Sequence, residues 1–106
     1  MLAPDPRPSL SASTLYRVTV EGRRYTGTPE GVARALYQRN APLDLARPDT
    51  FEAYVRAVVG RVRHLHPEAP PVPAAPTAAE LGRVLLSALS GARLAHVEPW
   101  SSRALN

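Results

Sequence analysis

Residues 15–28 read LYRVTV, then EG, then RRYTGT: two alternating runs joined by two residues. Strict alternation is the pattern of a strand with one buried face, and two such runs across a short connection form a β-hairpin. With Glu21-Gly22 as the turn, Val20 opposes Arg23, Thr19 opposes Arg24 and Val18 opposes Tyr25. One face then carries Tyr16, Val18, Val20 and Tyr25, and the other Arg17, Thr19, Arg24 and Thr26. Glu-Gly is a poorer turn pair than Asn-Gly, so a bulged turn that slips the register by one residue is the competing arrangement.

The period then changes from two to 3.6, and three helices are expected. Thr28-Pro29-Glu30 supplies a capping hydroxyl, a proline where the lost N–H is harmless and a carboxylate in the first turn. Asp49-Thr50-Phe51-Glu52 and Thr77-Ala78-Ala79-Glu80 have capping-box spacing. The first helix runs to about Arg39 and buries Val32, Ala35 and Leu36. The second carries Phe51, Tyr54, Val55, Val58, Val59, Val62 and Leu65 at i, i+3/i+4 spacing and stops at Pro67. The third places Leu81, Val84, Leu85, Ala88 and Leu89 on one face and ends at Gly91. A last strand is expected over Arg93–Glu98, beside the hairpin.

The expected fold is therefore a small α+β domain in the order β-β-α-α-α-β, a short antiparallel sheet covered by three helices. Residues 1–13, rich in proline and serine, read as a flexible tail, 14–99 as the single domain and 100–106 as a second tail. Within the domain, residues 67–76 hold five prolines and read as a polyproline-like linker. About 75 residues are left to build a core, a size at which burial is only just sufficient and self-association helps. Hydrophobic residues make up 44% of the chain, but 17 of them are alanine.

Composition excludes several functions. Without cysteine there is no disulfide scaffold, thiolate metal site or thiol nucleophile. No apolar run reaches the roughly 18 residues of a membrane span. The first residues lack a signal-peptide core, so a cytoplasmic protein with no membrane partner is expected. All 13 basic residues are arginine, and lysine and isoleucine are both absent, as in a high-GC bacterial genome. The net charge of +4 therefore favours acidic partners only mildly.

Four chemistries compete with plainer explanations. TGTPEG, with Arg23 and Arg24 nearby, could cradle an anion at a helix N-terminus. The phosphate-loop lysine is missing, though, and Glu30 already occupies the positive helix end, so a hairpin-to-helix joint in which Gly27 permits a positive φ explains the stretch. Glu30/Arg34, Glu52/Arg56 and Glu80/Arg83 have the spacing of helix-surface ion pairs. That leaves Arg17, Arg23, Arg24, Arg61 and Arg63 as nucleic-acid-binding candidates, without interleaved aromatics for base stacking. His64 and His66 point about 200° apart on a helix and cannot share a metal. No glycine-framed nucleophile appears.

The expectation is a non-enzymatic protein-interaction module, adaptor or regulator, without metal or cofactor, that binds another protein or itself. Its interface residues are expected to be Tyr54, Val58 and Val62 on the second helix and Trp100 after the last strand. A small basic nucleic-acid-associated protein using the five arginines is the rival reading.

Overall fold

The computed structural model describes residues 10–42 and 48–100. Strands β1 (Tyr16–Val20) and β2 (Arg23–Gly27) pair antiparallel in the expected register, with Val20 opposite Arg23 and Val18 opposite Tyr25. No bulge intervenes, because Glu21 (φ 53°) and Gly22 (φ 79°) both take the left-handed conformation that a two-residue hairpin turn requires. Glycine does this freely, whereas Glu21 pays about 1 kcal/mol for it. Gly27 is not in the left-handed region. Its joint to the next helix needs no special backbone.

Three helices follow, α1 (Pro29–Arg39), α2 (Phe51–Leu65) and α3 (Ala78–Gly91), and then β3 (Ala95–Pro99). The order is β-β-α-α-α-β, a small α+β domain as expected. Each helix begins on a threonine hydroxyl: Thr28 accepts from the Gly31 N–H, Thr50 from Ala53 and Thr77 from Glu80. Only Thr77 completes a reciprocal box, through Glu80 at 2.8 Å. In α2 the cap is Thr50, so Glu52 lies one residue short of the reciprocal position and bonds Arg56 instead, at 2.9 Å.

β3 starts two residues later than expected. Arg93 (φ 62°) and Leu94 still belong to the turn that closes α3, donating their N–H groups to Ser90 and Leu89 carbonyls. The strand then pairs antiparallel with β1, so the sheet order is β2-β1-β3. The central strand is thus the one whose alternate residues, Tyr16, Val18 and Val20, are all buried. β2, with two arginines, takes an edge, where charge is tolerated and discourages further pairing.

The helices cover one face of the sheet. α1 packs on β2, α3 on β3, and the two helices on each other, while α2 packs on α3 and less extensively on α1. The α1–α3 seam is close because Gly82 lets backbone meet backbone: a Cβ there would lie 2.5 Å from the Glu30 nitrogen. In α1 the buried set is Pro29, Val32, Ala33 and Leu36, so Ala33 takes the place expected for Ala35. These four follow i, i+3, i+4, i+7, the narrow stripe of a helix wedged between sheet and neighbour. In α3, Leu86 joins the core and Val84 lies at its border. Leu65, in the last turn of α2, overhangs the core and is 76% exposed.

The expected flexible tail, where it is described, and the expected linker are both tied to the core. Leu10 packs against the core, and the Ser11 N–H donates to the Tyr16 hydroxyl at 2.8 Å. Residues 1–9 and 101–106 of the expected tails lie outside the described residues. The proline-rich segment 67–76 lies along α2 rather than apart from it. Ala69 is buried, Arg63 donates to the Ala69 carbonyl at 2.9 Å, and Arg56 donates to Pro73 at 2.9 Å. Among the described residues no helix is long and apolar enough to cross a membrane.

Candidate functional site

The residues expected to form an interface on α2 do not present one. Tyr54, Val58 and Val62 are 0, 2 and 4% exposed. They are central core residues, because α2 spends its broad apolar arc against α3 and α1. The Tyr54 hydroxyl is accommodated by donating to the Ala41 carbonyl. Burial pushes its ionisation well above the ordinary phenol range, and the nearby Tyr25 and Glu21 push the same way, so it stays neutral. Tyr37 stacks obliquely between Tyr54 and Phe51, with ring centroids 5.3 and 6.1 Å away, and Arg34 lies 4.5 Å above the Phe51 ring. This aromatic group joins the end of α1 to the start of α2.

The arginines divide into separate groups. Arg17 and Arg24 share the uncovered face of the sheet, with Thr19 and Thr26 between them in the register. Arg23 falls on the opposite pleat, and Arg61 and Arg63 belong to α2. Several are engaged: Arg17 lies 3.8 Å from Glu98 across the β1–β3 pair, and Arg63 holds the Ala69 carbonyl. The pairs Glu30–Arg34 and Glu52–Arg56 form at 2.9 Å, but Glu80 closes its capping box instead of meeting Arg83. No more than a two-arginine portion of the expected basic surface lies on one face.

Among the described residues, the outer face of the sheet and the outer edge of β3 are left uncovered. The outer face reads across the strands as Arg24–Thr19–His96 and Thr26–Arg17–Glu98. The Trp100 N–H donates to the Leu15 carbonyl at 3.0 Å, which extends the β1–β3 ladder by one pair. Trp100 is therefore part of the sheet's end and not of a tail, and it stays partly exposed. Backbone alternation fixes the other edge: residues 96, 98 and 100 turn their N–H and C=O groups to β1, and 95, 97 and 99 turn theirs outward. Among the described residues no strand lies beyond β3.

At the start of that edge, where α3 turns into β3, lies an open cavity of about 440 Å³ lined by Thr19, Ser90, Arg93, Leu94, Ala95 and His96. Leu94 is 49% exposed there, and Leu15, opposite Trp100, is 41% exposed. The sequence reading missed this corner. Its one legible sign was the run Leu94-Ala-His-Val-Glu-Pro-Trp100, in which apolar ends and a donor–acceptor pair, His96 and Glu98, are arranged symmetrically about Val97.

His64 lies exposed on α2, while His66 caps that helix and sits 3.5 Å from Glu68. His96 lies 3.6 Å from Glu98. Among the described residues no three His, Asp or Glu side chains are grouped to hold a metal ion. No family model, curated protein or solved structure matches the chain.

Proposed function

We propose that this protein is a non-enzymatic interaction module that binds another protein chain, or a copy of itself, through β3 and Trp100. The observation that carries the reading is the edge itself. Among the described residues no strand pairs with the outward N–H and C=O groups of Ala95 and Val97, which lie between the exposed Leu94 and the partly exposed Trp100. Free strand edges recruit chains by main-chain hydrogen bonding, and flanking apolar groups supply the desolvated anchors. The cytoplasmic location expected above belongs to the same proposal, as does the absence of any catalytic role. The test is photo-crosslinking in cells from a reactive residue placed at Leu94, with one at the exposed Ala57 of α2 as control. Discrete protein adducts from position 94 and none from 57 are expected. Equal labelling from both, or none from 94, sinks the reading.

A second reading, nucleic-acid binding, is favoured by one observation: Arg17 and Arg24 share an uncovered sheet face with two threonines. It predicts duplex binding whose log–log salt slope is about −3 or steeper. Fluorescence anisotropy of a labelled duplex, from low to physiological salt, decides it. With Arg17 held by Glu98 and the other three arginines on different faces, no binding even at low salt is expected.

A further inference from the structure

Resting on the interaction-module reading, we infer that the partner at this edge is a second copy of the same chain, joined β3 to β3 about a two-fold axis at Val97, with each Trp100 entering the other's corner cavity. An isologous contact requires a surface that complements itself. Antiparallel pairing centred on Val97 sets each residue opposite the one whose number makes 194 with its own. Every such pair is favourable.

Val97 turns its N–H and C=O outward, so the two copies of Val97 exchange both hydrogen bonds. Each Ala95 N–H then meets the partner's Pro99 carbonyl. Pro99 has no N–H to donate, so the ladder stops there, at the end of the strand where proline is tolerated. On the outer face His96 stands opposite the partner's Glu98, and Glu98 opposite the partner's His96. These are non-hydrogen-bonded positions, where side chains come closest. The row across both sheets reads Thr26, Arg17, Glu98, then the partner's His96, the partner's Thr19 and the partner's Arg24. Glu98 is thereby flanked by Arg17 of its own sheet on one side and by the partner's His96, an imidazole able to donate a hydrogen bond, on the other.

The ends of the pairing are apolar. Leu94 stands opposite the partner's Trp100, and Trp100 already pairs with Leu15 in its own sheet. The exposed Leu15 and Leu94 of the two copies, separate in the monomer, thus come to flank one indole. Leu94 also lines the cavity of about 440 Å³ at the α3–β3 corner, which is large enough to receive that ring. On the covered face Val97 and Ala95, only partly buried at the edge, would meet Val97 and Pro99 of the second copy and extend the core across the axis. The other free edge does not compete: β2 carries Arg23 and Arg24 and no acid, so two β2 edges repel.

Sedimentation equilibrium of the full chain over a wide concentration range tests this, read alongside the emission of its single tryptophan. A monomer–dimer equilibrium is expected, with the Trp100 emission shifting blue, and the Ala95 and Val97 amides gaining hydrogen-exchange protection, as dimer forms. Trp100→Ala should raise the dissociation constant at least about tenfold. His96→Glu, which sets two like-charged pairs across the axis, should raise it about tenfold, and His96→Arg should leave it unchanged or lower it. Val97→Pro removes only an outward N–H and should abolish the dimer; should that variant fail to fold, the two His96 variants decide. A dimer indifferent to His96→Glu overturns the β3–β3 register. A chain that stays monomeric at every concentration yet crosslinks to other proteins from position 94 overturns the second copy as partner and leaves the interaction module standing.

Discussion

The two faces of β1 differ more than any two other surfaces of this molecule. Tyr16, Val18 and Val20 lie beneath helices, almost wholly excluded from water, while Arg17 and Thr19 look out from the same five residues onto an uncovered sheet. The covered side holds the stability: an apolar core in which the described residues bury no charged side chain. The open side holds little of it, since an exposed ion pair such as Arg17–Glu98 is worth at most about 1 kcal/mol. Substitutions on that side are therefore expected to leave the fold intact.

That contrast breaks first, if it breaks, at the α1–α3 seam. Gly82→Ala places a methyl 2.5–2.6 Å from the backbone of Pro29 and Glu30, where no side chain can move aside. The helices must separate, and denaturant unfolding should show a loss of about 3 kcal/mol. A loss under about 1 kcal/mol would mean that the covered side is far more yielding than its packing implies.

Tyr54→Phe comes next. Losing the hydroxyl leaves the Ala41 carbonyl without that donor and should cost about 1 kcal/mol at neutral pH. The pH dependence has a definite sign. The fold raises this phenol's pKa, so it favours the neutral form, and that contribution is complete below the ordinary value of about 10 and is lost as pH rises above it. Stability of the parent chain should therefore fall more steeply above pH about 10 than that of Tyr54→Phe, measured by denaturant unfolding across alkaline pH. Parallel curves would place Tyr54 outside the water-excluded core.

Thr77→Ala removes the reciprocal cap of α3 and should cost about 1 kcal/mol in the same measurement. Glu21→Asn replaces a side chain strained at φ 53° with one that tolerates it and should gain about 0.5 kcal/mol. Smallest of all, Arg17→Ala with Arg24→Ala should change stability by under about 0.5 kcal/mol. If that double variant unfolds the domain, the open face carries structural weight and the division between the two sides fails.

Much of this architecture is local chemistry and could be read directly. The hairpin register follows from alternation plus a turn of two residues, and the helix starts follow from Thr28, Thr50 and Thr77 with their prolines and acids nearby. Each depends on residues within about four positions of one another, so each is written in adjacent letters. The placement of Arg17 and Arg24 on one face of the hairpin followed from the same alternation and turn.

Which surface stays uncovered was legible only at Trp100, because it is whatever packing leaves over. Tyr54, Val58 and Val62 look like a surplus apolar stripe until α3 and α1 are found to absorb it. Trp100 looks like part of a tail until its N–H is seen on the Leu15 carbonyl, 85 residues back along the chain. Leu15 and Leu94, apolar and next to strands, look destined for the core, yet packing leaves both exposed. Alternation, caps and turns are decided by neighbours in sequence. Which apolar residues are covered, and which edge stays open, is decided by contacts between residues tens of positions apart, and no pattern of adjacent letters encodes those.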